Sequence, residues 1–273
     1  MTRTVFFISD STGITAETLG SSLLSQFEQQ KFEHVIVPYV DSIEKAQAAV
    51  EKIDRVAKES GEQPIIFDTL VNADIRAVIA TSSGFIIDVL AHFLGQLETA
   101  LGQKPSSTVG RVKNADRDAR YKNRIDAVNF ALDNDDGARI NRYDQAQVIL
   151  IGVSRSGKTP TCLYLALQTG VFVANYPLTE EDLEERRLPR PLAEYRDRLY
   201  GLTIEPERLS AIRSERRPNS PYASLRRCED EVRDAEALFS RFGIPYIDTT
   251  HASVEEIATR ILVETGLRGQ RSQ

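Results

Sequence analysis

A chain of 273 residues, 41% hydrophobic and 27% charged, is long enough for one large or two modest globular domains with real cores. Acids outnumber Lys and Arg 40 to 34, and the net charge of −6 argues against a nucleic-acid partner or an anionic membrane surface. Apolar runs such as Val5–Ile8 and Val148–Ile151 are too short to cross a bilayer, MTRTVFFISD lacks the core of a signal peptide, and two cysteines with three histidines give no disulfide framework or metal spacing, so a cytoplasmic protein is expected.

In chain order, TVFFIS reads as a strand, followed by SDSTG and a helical stretch with Leu19, Leu23 and Phe27 on one stripe. HVIVPYV is a second strand, which Pro38 marks as an edge or a bulge. From Ser42 to Glu59 the spacing of Ile43, Ala46, Val50 and Ile53 predicts an amphipathic helix, and PIIFD at 64–68 a short buried strand. GFIIDVLAHFLGQLETALG then reads as one helix, with Phe85, Val89, Phe93, Leu97 and Leu101 at steps of four. This alternation implies a parallel-sheet α/β domain over residues 1–101.

Composition breaks at 102–143, a polar connecting region. Gly102–Arg124 reads as a surface connection or as a mobile arm bringing Lys113, Arg117, Arg120, Lys122 and Arg124 to a phosphate site. A short helix is expected around Ala127–Leu132, then DNDDG. A second α/β domain is expected over 144–273. Its strands are Gln147–Ile151, VFVANYPL, GLTI and IPYIDTT, and its helices lie in PERLSAIRSERR, Tyr222–Phe242 and Val254–Thr265. No internal repeat is visible, and the tail beyond Gly266 is expected to fray.

The chemistry concentrates in Gly152-Val153-Ser154-Arg155-Ser156-Gly157-Lys158-Thr159, which fits the phosphate-loop pattern G-x-x-x-x-G-K-[ST] between a predicted strand and a predicted helix. The glycines let successive amides face an anion, and the helix adds its positive end. Lys158 supplies a full charge to the terminal phosphates, while the Thr159 hydroxyl is placed to ligand Mg²⁺. A strand-end acid is the usual second anchor of the metal. Asp248 is the candidate within the domain, and Asp68 ends a strand before the loop. In PERLSAIRSERR, Arg208, Arg213, Arg216 and Arg217 are either a solvated face or an arginine lid over the transferred phosphate. SDSTG could hold an anion or simply cap a helix through Asp10, Ser11 or Thr12. The histidines read as structural. Neither a G-x-S-x-G elbow nor the motif set of ordinary protein kinases is present.

FFISDSTGITAETLG, DQAQVILIGVSRSGKTPTCLYLA, ANYPL, GLTIEPERLSAIRSERR and YASLRRCEDEV together resemble the bacterial phosphoenolpyruvate synthase regulatory proteins, over nearly the whole chain. The loop reads Ser-Gly-Lys-Thr-Pro, whereas relatives directed at pyruvate, phosphate dikinase commonly lack that second glycine, which favours the synthase branch. The resemblance implies a dimeric protein with an N-terminal α/β domain and a C-terminal kinase-like domain. It implies a bifunctional activity: ADP-dependent phosphorylation of a threonine of the target synthase, releasing AMP, and removal of that phosphate by inorganic phosphate, forming pyrophosphate. The nucleotide site of the family falls on Gly152 through Thr159 here. Both reactions need charge neutralisation by Lys158, Mg²⁺ and arginines, and a base, for which Asp10, Asp68 and Asp136 are candidates. A small-molecule P-loop kinase and a non-catalytic ADP sensor docked on a metabolic enzyme fit the same loop.

Overall fold

The computed structural model describes residues 2–104, 114–218 and 220–267, apart from the side chains of His92 and of residues 114–118. The chain divides into two compact units, Met1–Arg111 and Val112–Gln273.

The first unit is a parallel sheet of β1 (Thr2–Ile8), β2 (Lys31–Val37), β3 (Ile65–Asp68) and β4 (Phe85–Asp88), ordered β2-β1-β3-β4. Its helices are α1 (Ile14–Leu24), α2 (Ile43–Ser60), α3 (Ala73–Ile79) and α4 (Val89–Leu101). The central strands bury both faces, which is why they read as unbroken aromatic and β-branched runs. Phe6, Ile8 and Ile66 pack with Ala46, Ile53, Ile75 and Ile79, while Val5, Phe7 and Phe67 pack with Ala16, Leu24 and Val89. As Pro38 suggested, β2 is an edge strand.

Three local expectations change. Helix α1 buries Ala16, Gly20 and Leu24; of the expected stripe, Leu19 is half-buried against the same core, while Leu23 and Phe27, the latter beyond the helix, are 48% and 63% exposed. Gly20 sets that face, since it lies against the rings of Phe7 and Phe67, where a side chain does not fit. Phe85–Asp88, read as helix, is strand β4 paired with β3, and Asp88 caps α4 by accepting from the Ala91 amide at 2.7 Å. Helix α3, capped by Asn72, is a seven-residue element that was not anticipated.

The second unit repeats the strand order. Its sheet is β6-β5-β7-β8, all parallel, from β5 (Val148–Gly152), β6 (Val173–Pro177), β7 (Leu199–Thr203) and β8 (Tyr246–Asp248). The helices are α5 (Asn114–Asp133), α6 (Lys158–Thr169), α7 (Glu180–Glu184), α8 (Pro206–Arg216), α9 (Leu225–Phe242) and α10 (Val254–Glu264). Short 3₁₀ turns occupy Asp135–Gly137 and Ile140–Gln145. Residues 114–143, expected within the connection, belong to this unit. Ala127 and Ala131 of α5 share a core with Cys162, Leu165 and Ala166 of α6, and the Asn123 side chain donates to the Gly170 carbonyl at 3.0 Å. Arg120, Lys122 and Arg124 are exposed on α5. Lys113, the Arg117 side chain and the tail from 268 lie outside the described residues. Among the described residues no helix is long and apolar enough to cross a membrane.

From β5 the chain passes first to β6 on one side, then to β7 on the other. The loop leaving β5 therefore opens at the switch point of the sheet, where parallel α/β folds leave a crevice for ligands.

Candidate active site

The loop Gly152–Thr159 occupies that crevice. Gly152 lies against the Leu202 carbonyl, with no room for a side chain, and Gly157, at φ 87°, takes the left-handed turn that starts α6. Arg155 also adopts a left-handed conformation, at φ 76°. No side chain caps α6, so the Lys158 and Thr159 amides of its first turn have no side-chain acceptor, and the Ser156 hydroxyl, beside Gly152, is buried without a partner.

Lys158 is 4% exposed, its Nζ donating to the Val153 carbonyl at 2.9 Å. Burial pulls its ammonium down to about 8, against the opposing pull of Asp136 and Asp135.

The acid beside Thr159 is Asp135, which the sequence reading missed. Its Oδ1 accepts from the Thr159 hydroxyl at 2.8 Å and from the Asn175 amide nitrogen. Asn175, fully buried on β6, accepts the Asp136 amide on its own Oδ1 at 2.9 Å, so one side chain fixes two successive acids. Tyr143 donates to the Asn175 carbonyl at 2.8 Å. Asp136 itself is exposed, at φ 48°. Asp135, Asp136, Ser154, Arg155, Lys158, Thr159, Arg216, Arg217 and Tyr222 line one cleft of about 700 Å³.

Asp248 is not brought to Thr159. It ends the edge strand β8, beyond β7 from the loop, and is occupied locally, accepting from the Thr250 amide at 2.8 Å and from the Thr250 hydroxyl. A strand-end aspartate followed by a short polar turn caps its own turn here.

The arginines of α8 divide. Arg216 and Arg217 are exposed on the cleft. Arg213 is completely buried and is neither a solvated face nor a lid: it pairs with Glu231 at 2.6 Å and donates to the Ser154 carbonyl at 3.1 Å. Tyr222, also missed, places its ring 4.2 Å from the Arg213 guanidinium and donates its hydroxyl to Ser154 Oγ at 2.8 Å.

Asp10 and Asp68 belong to the first unit. Asp10 accepts the Val71 amide at 3.1 Å, and none of Asp10, Ser11 or Thr12 caps α1. Asp68 is fully buried; one oxygen accepts the Leu70 amide at 3.2 Å and the other has no partner. Burial, with the nearby Asp88 carboxylate, raises it to about 6. His34, exposed on the edge strand β2, places its ring edge-on to Phe7.

Comparison with known proteins decides the lineage. The pattern of the kinase/pyrophosphorylase family matches residues 5–262. The chain belongs to that family. A Pseudomonas aeruginosa relative is 59% identical over 267 residues, covering 98% of this chain and 97% of its own. Relatives from Ectopseudomonas mendocina and Hahella chejuensis are 58% and 55% identical, each over 98% of both chains. All three are provisionally named phosphoenolpyruvate synthase regulatory proteins. Within the kinase/pyrophosphorylase match, the phosphate loop, the Asp135–Asp136 pair and Arg213 all fall inside 5–262.

Proposed function

We propose that this kinase/pyrophosphorylase regulates a phosphoenolpyruvate synthase by transferring the β-phosphoryl group of ADP to a threonine of that enzyme, and by removing it with inorganic phosphate. The observation that carries the reading is the cleft itself: a phosphate loop with buried Lys158 faces an exposed carboxylate, Asp136, across a space of about 700 Å³. The names of the relatives supply the target.

The chemistry follows from the residues present. The amides of Gly152–Thr159 and Lys158 Nζ hold the two phosphates of ADP and offset charge on the leaving AMP. Asp136 takes the proton of the threonine hydroxyl as its oxygen bonds to the β-phosphorus and the bond to the bridging oxygen breaks. Arg216 and Arg217, exposed on the cleft, stabilise the equatorial oxygens. In the opposite reaction an oxygen of inorganic phosphate attacks phosphothreonine, pyrophosphate forms, and Asp136 returns a proton to the departing threonine oxygen. Of the three candidate bases, Asp136 is the one on this cleft.

The donors also suit Mg²⁺. Thr159 Oγ1 and the Asp135 carboxylate are hard oxygens 2.8 Å apart, a donor pair that suits an ion whose other ligands are phosphate and water. Bound there, the ion would supply charge neutralisation between the phosphates. The same reading takes the protein as a cytoplasmic homodimer, which sedimentation of the purified chain tests.

Transfer of acid-stable label from β-labelled ADP to a threonine of the synthase, reversed by inorganic phosphate, is the expected result. Label moving only from ATP to a small acceptor would make the chain a metabolite kinase. ADP binding without turnover would make it a sensor.

A further inference from the structure

A buried guanidinium must keep its charge, because arginine does not give up its proton inside a protein, so its position is set by whatever carboxylate compensates it. Arg213 is 0% exposed, and the carboxylate that it meets is Glu231 of α9, at 2.6 Å. The same terminal nitrogen donates to the Ser154 carbonyl at 3.1 Å, while the other donates to the Tyr222 carbonyl at 3.1 Å. Glu231 is fixed from its far side by Arg227, at 2.8 Å, which in turn reaches Glu180 of α7 at 2.7 Å. A line of charges thus runs from the surface through α7, α9 and α8 and ends on one peptide of the phosphate loop.

That peptide joins Ser154 to Arg155. A trans peptide is planar, with its C=O and N–H pointing in opposite directions. Holding the Ser154 carbonyl toward buried Arg213 therefore turns the Arg155 amide away from it. Arg155 lines the cleft and Arg213 does not. The left-handed conformation of Arg155, at φ 76°, is the local cost of this arrangement, and the Tyr222 hydroxyl on Ser154 Oγ holds the same residue from a second direction.

We propose that Glu231 is a positioning residue for phosphoryl transfer: by compensating Arg213 it fixes the Ser154–Arg155 peptide and so aims a loop amide at the phosphate. The proposal rests on the phosphate-loop reading above. It predicts that losing the Glu231 charge weakens phosphate binding even though Glu231 never touches the ligand.

The test compares Glu231→Gln with the double variant Arg213→Met/Glu231→Leu. Binding of pyrophosphate is measured by calorimetry, transfer from β-labelled ADP to the synthase by label, and folding by thermal melting. The double variant removes both charges together, a change that commonly spares stability where a single removal does not, so it carries the test if Glu231→Gln folds poorly. The expected result is a loss of pyrophosphate affinity and of kcat of at least about tenfold in both variants, with KM for the protein target unchanged. A double variant that melts like the wild type and binds pyrophosphate equally well would overturn the proposal and leave the pair a packing device. Wild-type protein that binds pyrophosphate but transfers nothing from ADP would count against the reaction alone. Wild-type protein that binds no pyrophosphate would remove the loop assignment and this proposal together.

Discussion

At the scale of single residues, Lys158 and Asn175 carry the sharpest consequences. Replacing Lys158 with Ala should lower transfer by at least about a hundredfold while helicity is unchanged, because the charge it offers develops its value only against phosphate. Its ammonium is depressed to about 8, so anion binding above that pH requires uptake of a proton. Pyrophosphate affinity should therefore fall about tenfold per pH unit above 8, and Lys158→Arg should abolish that dependence. Asn175→Ala releases both Asp135 and Asp136; kcat should drop about ten- to hundredfold, with a raised Mg²⁺ requirement, as measured by titrating the metal at saturating ADP. Replacing Arg216 and Arg217 with Ala should lower kcat more than nucleotide affinity.

The strand–loop–helix course of residues 152–159 was legible in sequence because it depends on local backbone geometry over eight consecutive residues. Asp135 and Asn175 were not. The acid lies 24 positions before its threonine and 40 before its amide partner, and only the docking of a 3₁₀ turn on β6 joins them. DNDDG and ANYPL were visible as motifs, but nothing in either shows that they meet. Arg213, which shares the spacing of its solvent-facing neighbours, was indistinguishable from them until the packing of α8 on α9 was known.

At the scale of elements, small residues decided what periodicity left ambiguous. Leu19, Leu23 and Phe27 form the more hydrophobic stripe, yet α1 buries Ala16 and Gly20 against the sheet and leaves Leu23 exposed, because the large rings of Phe7 and Phe67 already fill the space. Gly20→Ala should accordingly destabilise the first unit by about 1–3 kcal/mol in urea unfolding, through overpacking. Leu23→Ala, at an exposed site, should stay within about 0.5 kcal/mol. In the segment from Phe85, steps of four masked a strand–helix junction. The β-branched run pairs with β3 before Asp88 caps the helix.

Asp68, at the end of β3, gives that sheet a pH signature. Its carboxyl is raised to about 6 in the fold from an ordinary value of 3.8, so between those values the folded state holds more protons than the unfolded one. Stability from this group is therefore greatest at low pH and declines as pH rises through about 6. The unfolding free energy of Asp68→Asn relative to wild type should move in favour of the variant by about 2 kcal/mol between pH 4 and pH 7. A constant difference across that range would mean that Asp68 is not perturbed.

For the whole molecule, the two-part α/β architecture was readable from the alternation of strands and helices, and the break in composition from Gly102 falls near the division between the units. What the sequence hid is that both sheets share one strand order, since no residue repeat accompanies it. In each, the crevice lies at the carboxyl ends of the first and third strands. The second unit fills that place with the phosphate loop, and the first with Asp10 and Asp68. In the proposed function the loop serves ADP-driven modification of a phosphoenolpyruvate synthase. The most direct measurement incubates the purified chain with β-labelled ADP and the synthase, then adds inorganic phosphate. The account predicts acid-stable label on a synthase threonine, lost as pyrophosphate when phosphate is added. An unlabelled synthase, with the chain folded and ADP bound, would contradict it.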